Sequence, residues 1–161
     1  MTQKEYNKAV EEFADNIYRF VLKHIKNKML ADDVVQETFA KVWEKHETVD
    51  AEKVKSYLFT TAYHCMVDVI KKESRSSSID GYDKAAANND AIQFDIKDIL
   101  NKALDTLPEI QKTVIVLRDY EGYAYDEIAE ITGLNESQVK VYIFRGRQTL
   151  KNYLKAIELV A

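Results

Sequence analysis

The residues best suited to chemistry are cations at helical spacing with an aromatic among them: Lys140, Phe144, Arg145, Gln148 and Lys151. No acidic residue occurs from Ser137 to Ile157, although the chain as a whole carries a formal net charge of −4. A local basic stretch on an acidic protein suits a polyanion, because cations that neutralise phosphates release condensed counterions. The overall acidity argues against coating nucleic acid or membrane through bulk charge, so any such contact must be local.

Projecting the stretch at about 100° per residue separates two faces. Val139, Tyr142, Ile143, Gly146, Leu150 and Tyr153 share one side and are expected in the core. A glycine inside a helix costs about 1 kcal/mol relative to alanine, so a neighbouring helix is expected to cross closely at Gly146. Ser137, Lys140, Val141, Phe144, Arg145, Gln148 and Lys151 take the other side. A phenyl ring on that wet face gains nothing by itself. Against DNA, Phe144 can pack on a thymine methyl, Arg145 can pair with guanine through two bonds, and Lys140 can reach a base or phosphate. The same residues also fit a solvated cationic helix end with Phe144 covering a neighbouring loop.

A short helix, Tyr125 to Thr132, precedes the basic one. Gly133 is suited to a left-handed cap, and Asn135 with Gln138 three residues on forms a capping box. Short helix, tight turn and longer helix make a helix-turn-helix, whose second helix presents its N-terminal residues to base edges. Upstream, Ile96, Ile99, Leu100, Ala103, Leu104 and Leu107 form one stripe, Pro108 opens a helix carrying Val114, Ile115 and Leu117, and Gly122 ends it.

The first half reads as three amphipathic helices. The first covers about Gln3 to Lys26, with Tyr6, Val10, Phe13, Ile17, Phe20 and Val21 at helical spacing. The second covers about Ala31 to Lys45, with Asp32 and Asp33 in its first turn, where carboxylates complement the helix dipole. Ala31, Val35, Phe39 and Val42 take its apolar side, and Asp33, Gln36, Glu37, Ala40 and Glu44 another. That acidic face is either solvated or a dock for a basic helix. The third runs from about Ala51 to Glu73, with Tyr57, Phe59, Tyr63 and His64 followed by Lys71, Lys72 and Arg75. Rings for stacking and cations for phosphates suit single-stranded or melted DNA; core aromatics and a basic helix end account for them equally well. Ser74 to Asp95 is poor in large apolar residues and rich in turn formers, as a linker would be.

With 4 Gly and 1 Pro in 161 residues, long helices meet few interruptions and the expected class is all-α. Two small helical domains are expected, at residues 1–75 and 95–161, joined by a flexible linker at 76–94, the second containing the helix-turn-helix. The lone Cys65 excludes an internal disulfide and fits a reducing compartment. The polar, acidic segment from Met1 to Ala14 does not read as a signal peptide. No apolar run nears the roughly 18–20 residues of a membrane span, so the expected location is the cytoplasm. His24, His46, His64 and Cys65 show no metal-ligand spacing. With no phosphate loop or nucleophile elbow either, no catalytic residue, metal or cofactor is expected.

Asp32–Glu44, DDVVQETFAKVWE, and Ser56–Lys72, SYLFTTAYHCMVDVIKK, resemble region two of bacterial sigma factors. Leu107–Leu154 resembles region four. Regions two and four alone, joined by a short linker, are the arrangement of the extracytoplasmic-function sigma factors. The resemblance implies that Asp32, Asp33, Gln36, Glu37, Ala40 and Glu44 meet the clamp coiled coil of the RNA polymerase β′ subunit. Trp43 and Phe39 match positions that are mainly core. The loop from Lys45 to Lys55 matches the segment that captures a flipped base of the minus-ten element. Tyr57, Tyr63, His64, Asp68, Lys71 and Lys72 lie in or beside the helix that reads and melts that element. An Arg-Asn pair is frequent where this chain has Tyr63 and His64, which implies a different promoter preference. Ser137, Gln138, Lys140, Val141, Phe144, Arg145 and Gln148 are placed at the minus-thirty-five element. Serine is common where Val141 stands, and alanine where Gly146 stands. The implied partners are core polymerase, including its β subunit, promoter DNA and an anti-sigma factor, with no membrane insertion. A free-standing helix-turn-helix regulator accounts for the second half only, and a helical adaptor binding only protein leaves Phe144 unexplained.

Overall fold

The computed structural model describes residues 1–80 and 96–160, with side chains for 1–75 and 96–158. The described residues form seven helices and no strand: α1 (Gln3–Ile25), α2 (Lys28–Glu44), α3 (Val54–Asp80), α4 (Ile96–Asp105), α5 (Glu109–Ile115), α6 (Tyr125–Thr132) and α7 (Glu136–Val160). The all-α class is as expected. Most of the expected linker, residues 81–95, lies outside the described residues.

Local side-chain chemistry sets the helix starts. Thr2 and Glu5 form a capping box at α1, Thr2 Oγ1 accepting from Glu5 N at 3.1 Å and Glu5 Oε2 accepting from Thr2 N at 2.8 Å. Lys26 ends α1 in the left-handed region at φ 63°. Asn27 follows immediately, its Oδ1 accepting from Leu30 N at 3.1 Å. This cap starts α2 at Lys28, a turn earlier than expected at Ala31. Asp32 and Asp33 therefore lie beyond the first turn, which holds no acidic residue, and the dipole argument for them fails. Asp50 caps the turn before α3, accepting from Glu52 N at 3.0 Å. α3 continues to Asp80, past the expected end at Glu73.

α1, α2 and α3 pack around Ile17, Phe20, Val34, Val42, Leu58 and Phe59, each fully buried. Phe59 therefore belongs to the core rather than to a stacking platform. In the second half α5 and α6 pack on α7. Pro108 stands at the N-cap of α5, one residue before the helix rather than opening it. A π-helical turn, Val116–Tyr120, extends α5 before Gly122 reverses the chain at φ +76°. α7 crosses α5 at Gly146, where an added Cβ would lie 2.3 Å from Ile115 Cδ1. The close crossing expected there is present.

The halves also pack on each other, and their buried residues form one continuous apolar cluster. Phe59 of α3 meets Tyr123 edge to face, centroids 5.4 Å apart. Lys55 lies 4.8 Å over the Tyr123 ring, and Lys23 of α1 lies 4.8 Å over Tyr120. Lys26 pairs with Asp105, which also accepts from the buried Lys112 at 3.0 Å.

Gly146→Ala is expected to destabilise the chain by about 1–2 kcal/mol through overpacking against Ile115. In an Ile115→Val background, which removes Cδ1 and leaves Cγ1 at 3.3 Å, the same change should cost about 1 kcal/mol less. Urea unfolding of the four chains reads this coupling.

Candidate nucleic-acid interface

The turn between α6 and α7 is held by backbone and side-chain caps. Glu127 Oε1 accepts from Ala124 N at 3.0 Å at the start of α6. Gly133 closes α6 at φ +79°, donating to Ala129 O at 2.9 Å. Asn135 and Gln138 then cap α7 reciprocally, with bonds of 3.0 and 2.8 Å. These contacts aim the first turns of α7, and the burial of Val139 and Ile143 fixes its rotation.

Ser137, Gln138, Lys140, Val141, Phe144, Arg145 and Gln148 are consequently all exposed. Phe144 is 65% exposed and Val141 44%, an uncommon investment of apolar surface on a cationic face. Arg145 has no ion-pair partner among the described residues. Lys140 stands 3.8 Å from Glu136 and 5.6 Å over the Tyr125 ring. Gln138 spends its side chain on the cap. The basic stretch is less uniform than its sequence: Arg147 is tied to Asp119 at 2.6 Å.

Arg118 and Tyr125 join this surface, and sequence reasoning missed both. The Arg118 guanidinium lies 4.4 Å over the Tyr125 ring and donates to Tyr123 O at 2.9 Å. Tyr125 thus carries a cation from α7 and another from the π-helical turn. Their separation in sequence hides the cluster, and no short motif marks it.

On α2, Asp32, Asp33, Gln36, Glu37, Ala40 and Glu44 are all exposed. Glu37 pairs with Lys41 at 3.1 Å, which masks part of the negative charge. Beside this face runs an open groove of about 840 Å³ between α1 and α2, lined by Tyr6, Val10, Val35, Phe39 and Trp43. Trp43, expected in the core, is 38% exposed. Its indole lies flat on His46 at 4.0 Å and tilted against Tyr6 at 4.9 Å, so it forms the lip of the groove.

On α3, His64, Asp68, Lys71 and Lys72 are exposed, and Tyr57 and Tyr63 are half-buried. Tyr63 and Lys71 line a cleft of about 230 Å³ whose other wall is Glu109, Ile110 and Thr113 of α5. The candidate minus-ten residues are thus gathered on one helix, two of them against the second half. No group of three or more His, Cys, Asp or Glu suited to a metal occurs among the described residues, and no described helix is long and apolar enough to cross a membrane.

The Sigma-70 region 2 family matches residues 9–76 and the Sigma-70 region 4 family residues 97–150. The chain is 30% identical to the ECF RNA polymerase sigma factor SigM of Bacillus subtilis strain 168, over 86% of this chain and 88% of that one. It is also 30% identical to RNA polymerase sigma factor SigV of the same strain, over 99% of both chains. The fold resembles the sigma factor RpoE of Bartonella quintana, solved in complex with the anti-sigma factor NepR. The TM-score is 0.80 at 24% identity, over 94% of this chain and 98% of that one. It also resembles CnrH, solved with the cytosolic domain of CnrY, with TM-score 0.73 at 22% identity over 96% and 90% of the two chains.

Phe144→Ala and Arg145→Ala should each change the unfolding free energy by about 0.5 kcal/mol or less, since both side chains point to solvent. Ile143→Ala, beside them in sequence but buried, should cost about 2–4 kcal/mol. Urea titrations of the three variants test this division of α7 into a packing face and a free face.

Proposed function

This chain belongs to the extracytoplasmic-function family of RNA polymerase sigma factors, and we propose that it docks on polymerase through α2 and reads promoter elements with α3 and α7. As a sigma factor it binds core RNA polymerase and directs it to promoters to initiate transcription. The residue roles carry the proposal further. Asp32, Asp33, Gln36, Glu37, Ala40 and Glu44 meet the β′ clamp coiled coil, with further contact to the β subunit. Tyr57, Tyr63, His64, Asp68, Lys71 and Lys72 read and open the minus-ten element. Ser137, Lys140, Val141, Phe144, Arg145 and Gln148 read the minus-thirty-five element, with Gln138 serving chiefly as a cap.

The single observation that supports the promoter assignment best is Phe144, exposed between Lys140 and Arg145 on the second helix of a helix-turn-helix. Arg118 extends this surface and adds a phosphate contact. The protein acts as a regulator without catalysis or cofactor, in the cytoplasm. The anti-sigma factor bound to Bartonella quintana RpoE supports a partner of that kind here.

Two weak DNA contacts suit this design. Each half offers few phosphate contacts and binds weakly alone. Holding both on one polymerase raises their effective concentration on the promoter. The net charge of −4 keeps the free protein off non-specific DNA.

Run-off transcription with purified core polymerase over a genomic promoter library identifies the recognised elements. Phe144→Ala combined with Arg145→Ala should leave core binding unchanged and reduce promoter-specific transcripts by at least about tenfold, the loss of one bidentate base contact alone being about 1–3 kcal/mol. Unchanged transcription would remove α7 from the reading role. Tight, sequence-selective binding of a minus-thirty-five duplex by the isolated chain would contradict the requirement for polymerase.

A further inference from the structure

Most contacts between the two halves are apolar or involve exposed charges, but one is a buried imidazole. His24 sits in the last turn of α1, 7% exposed. Its Nδ1 lies 2.9 Å from Phe20 O in its own helix, and its Nε2 lies 3.0 Å from Thr113 Oγ1 of α5. A carbonyl only accepts, so Nδ1 carries the proton and donates to Phe20 O. Nε2 is then the bare nitrogen, facing the Thr113 hydroxyl, whose single hydrogen has two acceptors in reach, Nε2 at 3.0 Å and Glu109 O at 2.8 Å. The second nitrogen of the ring thus faces the other half of the molecule. The Phe20 ring packs edge-on against it at 5.1 Å.

With a second proton Nε2 donates to Thr113 Oγ1, and the hydroxyl keeps its hydrogen on Glu109 O, 2.8 Å away, so the cost of protonation is the buried charge and not a lost bond. A full positive charge then sits in an apolar seam. Lys112 of α5 and Lys23 of α1 oppose it, and Asp105 of α4 favours it. Asp105 is already shared by Lys112 and Lys26, so it offers little compensation. Among the described residues, the charged groups acting on the ring are these three, from α1, α4 and α5.

We propose that His24 is a proton-sensitive latch between the two halves: neutral, it seals α1 against α5; protonated, it drives the halves apart and frees the α3 face that borders α5. Burial, ahead of the neighbouring cations, lowers the imidazole from its ordinary 6.5 to about 3 in the closed molecule. Closure is therefore fully favoured above pH 6.5 and is lost progressively as pH falls toward 3. Glu121, also at the seam, has its carboxyl raised by burial against the opposing influence of Lys55, Arg19 and Lys23. It takes up a proton more readily when closed, so it opposes opening in acid and cannot be its source. The effect on promoter reading, through Tyr63 and Lys71, rests on the function proposed above. The latch itself is read without polymerase or DNA, so the two stand or fall separately.

The test is single-molecule energy transfer between dyes on Lys8→Cys and Glu130→Cys, both exposed positions, in the full chain carrying Cys65→Ser. Circular dichroism at each pH verifies that the helices persist. The ratio of open to closed molecules should rise about tenfold from pH 7.5 to pH 5.5, as expected for a group that ionises normally only when the seam is open. His24→Gln, which keeps an amide donor and acceptor but cannot take up a proton, should abolish the acid-induced opening. Thr113→Val, which leaves α1 untouched, should raise the open fraction already at pH 7.5. An open-to-closed ratio independent of pH, or acid opening that persists in His24→Gln, would overturn the latch.

Discussion

The rotation of α7 about its own axis is the constraint on which the rest depends. Val139 and Ile143 are buried, and Gly146 lets the helix axis approach α5 to within contact of Ile115. Once these positions face inward, 3.6 residues per turn leave Lys140, Val141, Phe144 and Arg145 facing outward. The caps at Gly133 and Asn135 then set where the helix begins. The base-reading role proposed for this face needs its side chains on a rigid element, and packing and capping supply that rigidity together.

The second organising contact is the seam between the halves. Its apolar part, Phe59 on Tyr123, continues the core of each half into the other. Around it lie groups that water would otherwise solvate: Lys112 at 3% exposure, His24 and Thr113. Each has a contact that involves the other half: His24 reaches Thr113, and the Asp105 bonded to Lys112 is shared with Lys26. A buried polar group is costly when unpaired, so these contacts make closure dependent on alignment as well as on apolar area. The same packing covers part of α3 with α5, and thus couples the relative position of the halves to the accessibility of Tyr63 and Lys71.

Much of this is legible in the sequence, and the reasons differ by residue. Gly133 and the Asn135–Gln138 pair were readable because capping is local chemistry with a fixed spacing. Phe144 was readable because a helical period assigns faces. The start of α2 is less legible: Asn27 caps the helix a turn before Ala31, and that one turn removes the dipole role of Asp32 and Asp33. Trp43 was expected in the core, yet its ring lies on Tyr6 and His46 at the edge of a groove, a placement that depends on two other elements. The pairing of Arg147 with Asp119, 28 residues away, depends on how the π-helical turn packs on α7.

By itself, the sequence determined everything that depends on a few consecutive residues: the helices, most of their ends, which side of each is apolar, and the order of two family regions. Only the tertiary structure decided which half touches which, that His24 is buried with both nitrogens bonded, and that Arg118 and Lys140 meet over Tyr125. The physical reason is range. Period and capping act over three or four residues, whereas His24 and Thr113 are 89 residues apart in the chain, and no local rule carries information across that distance.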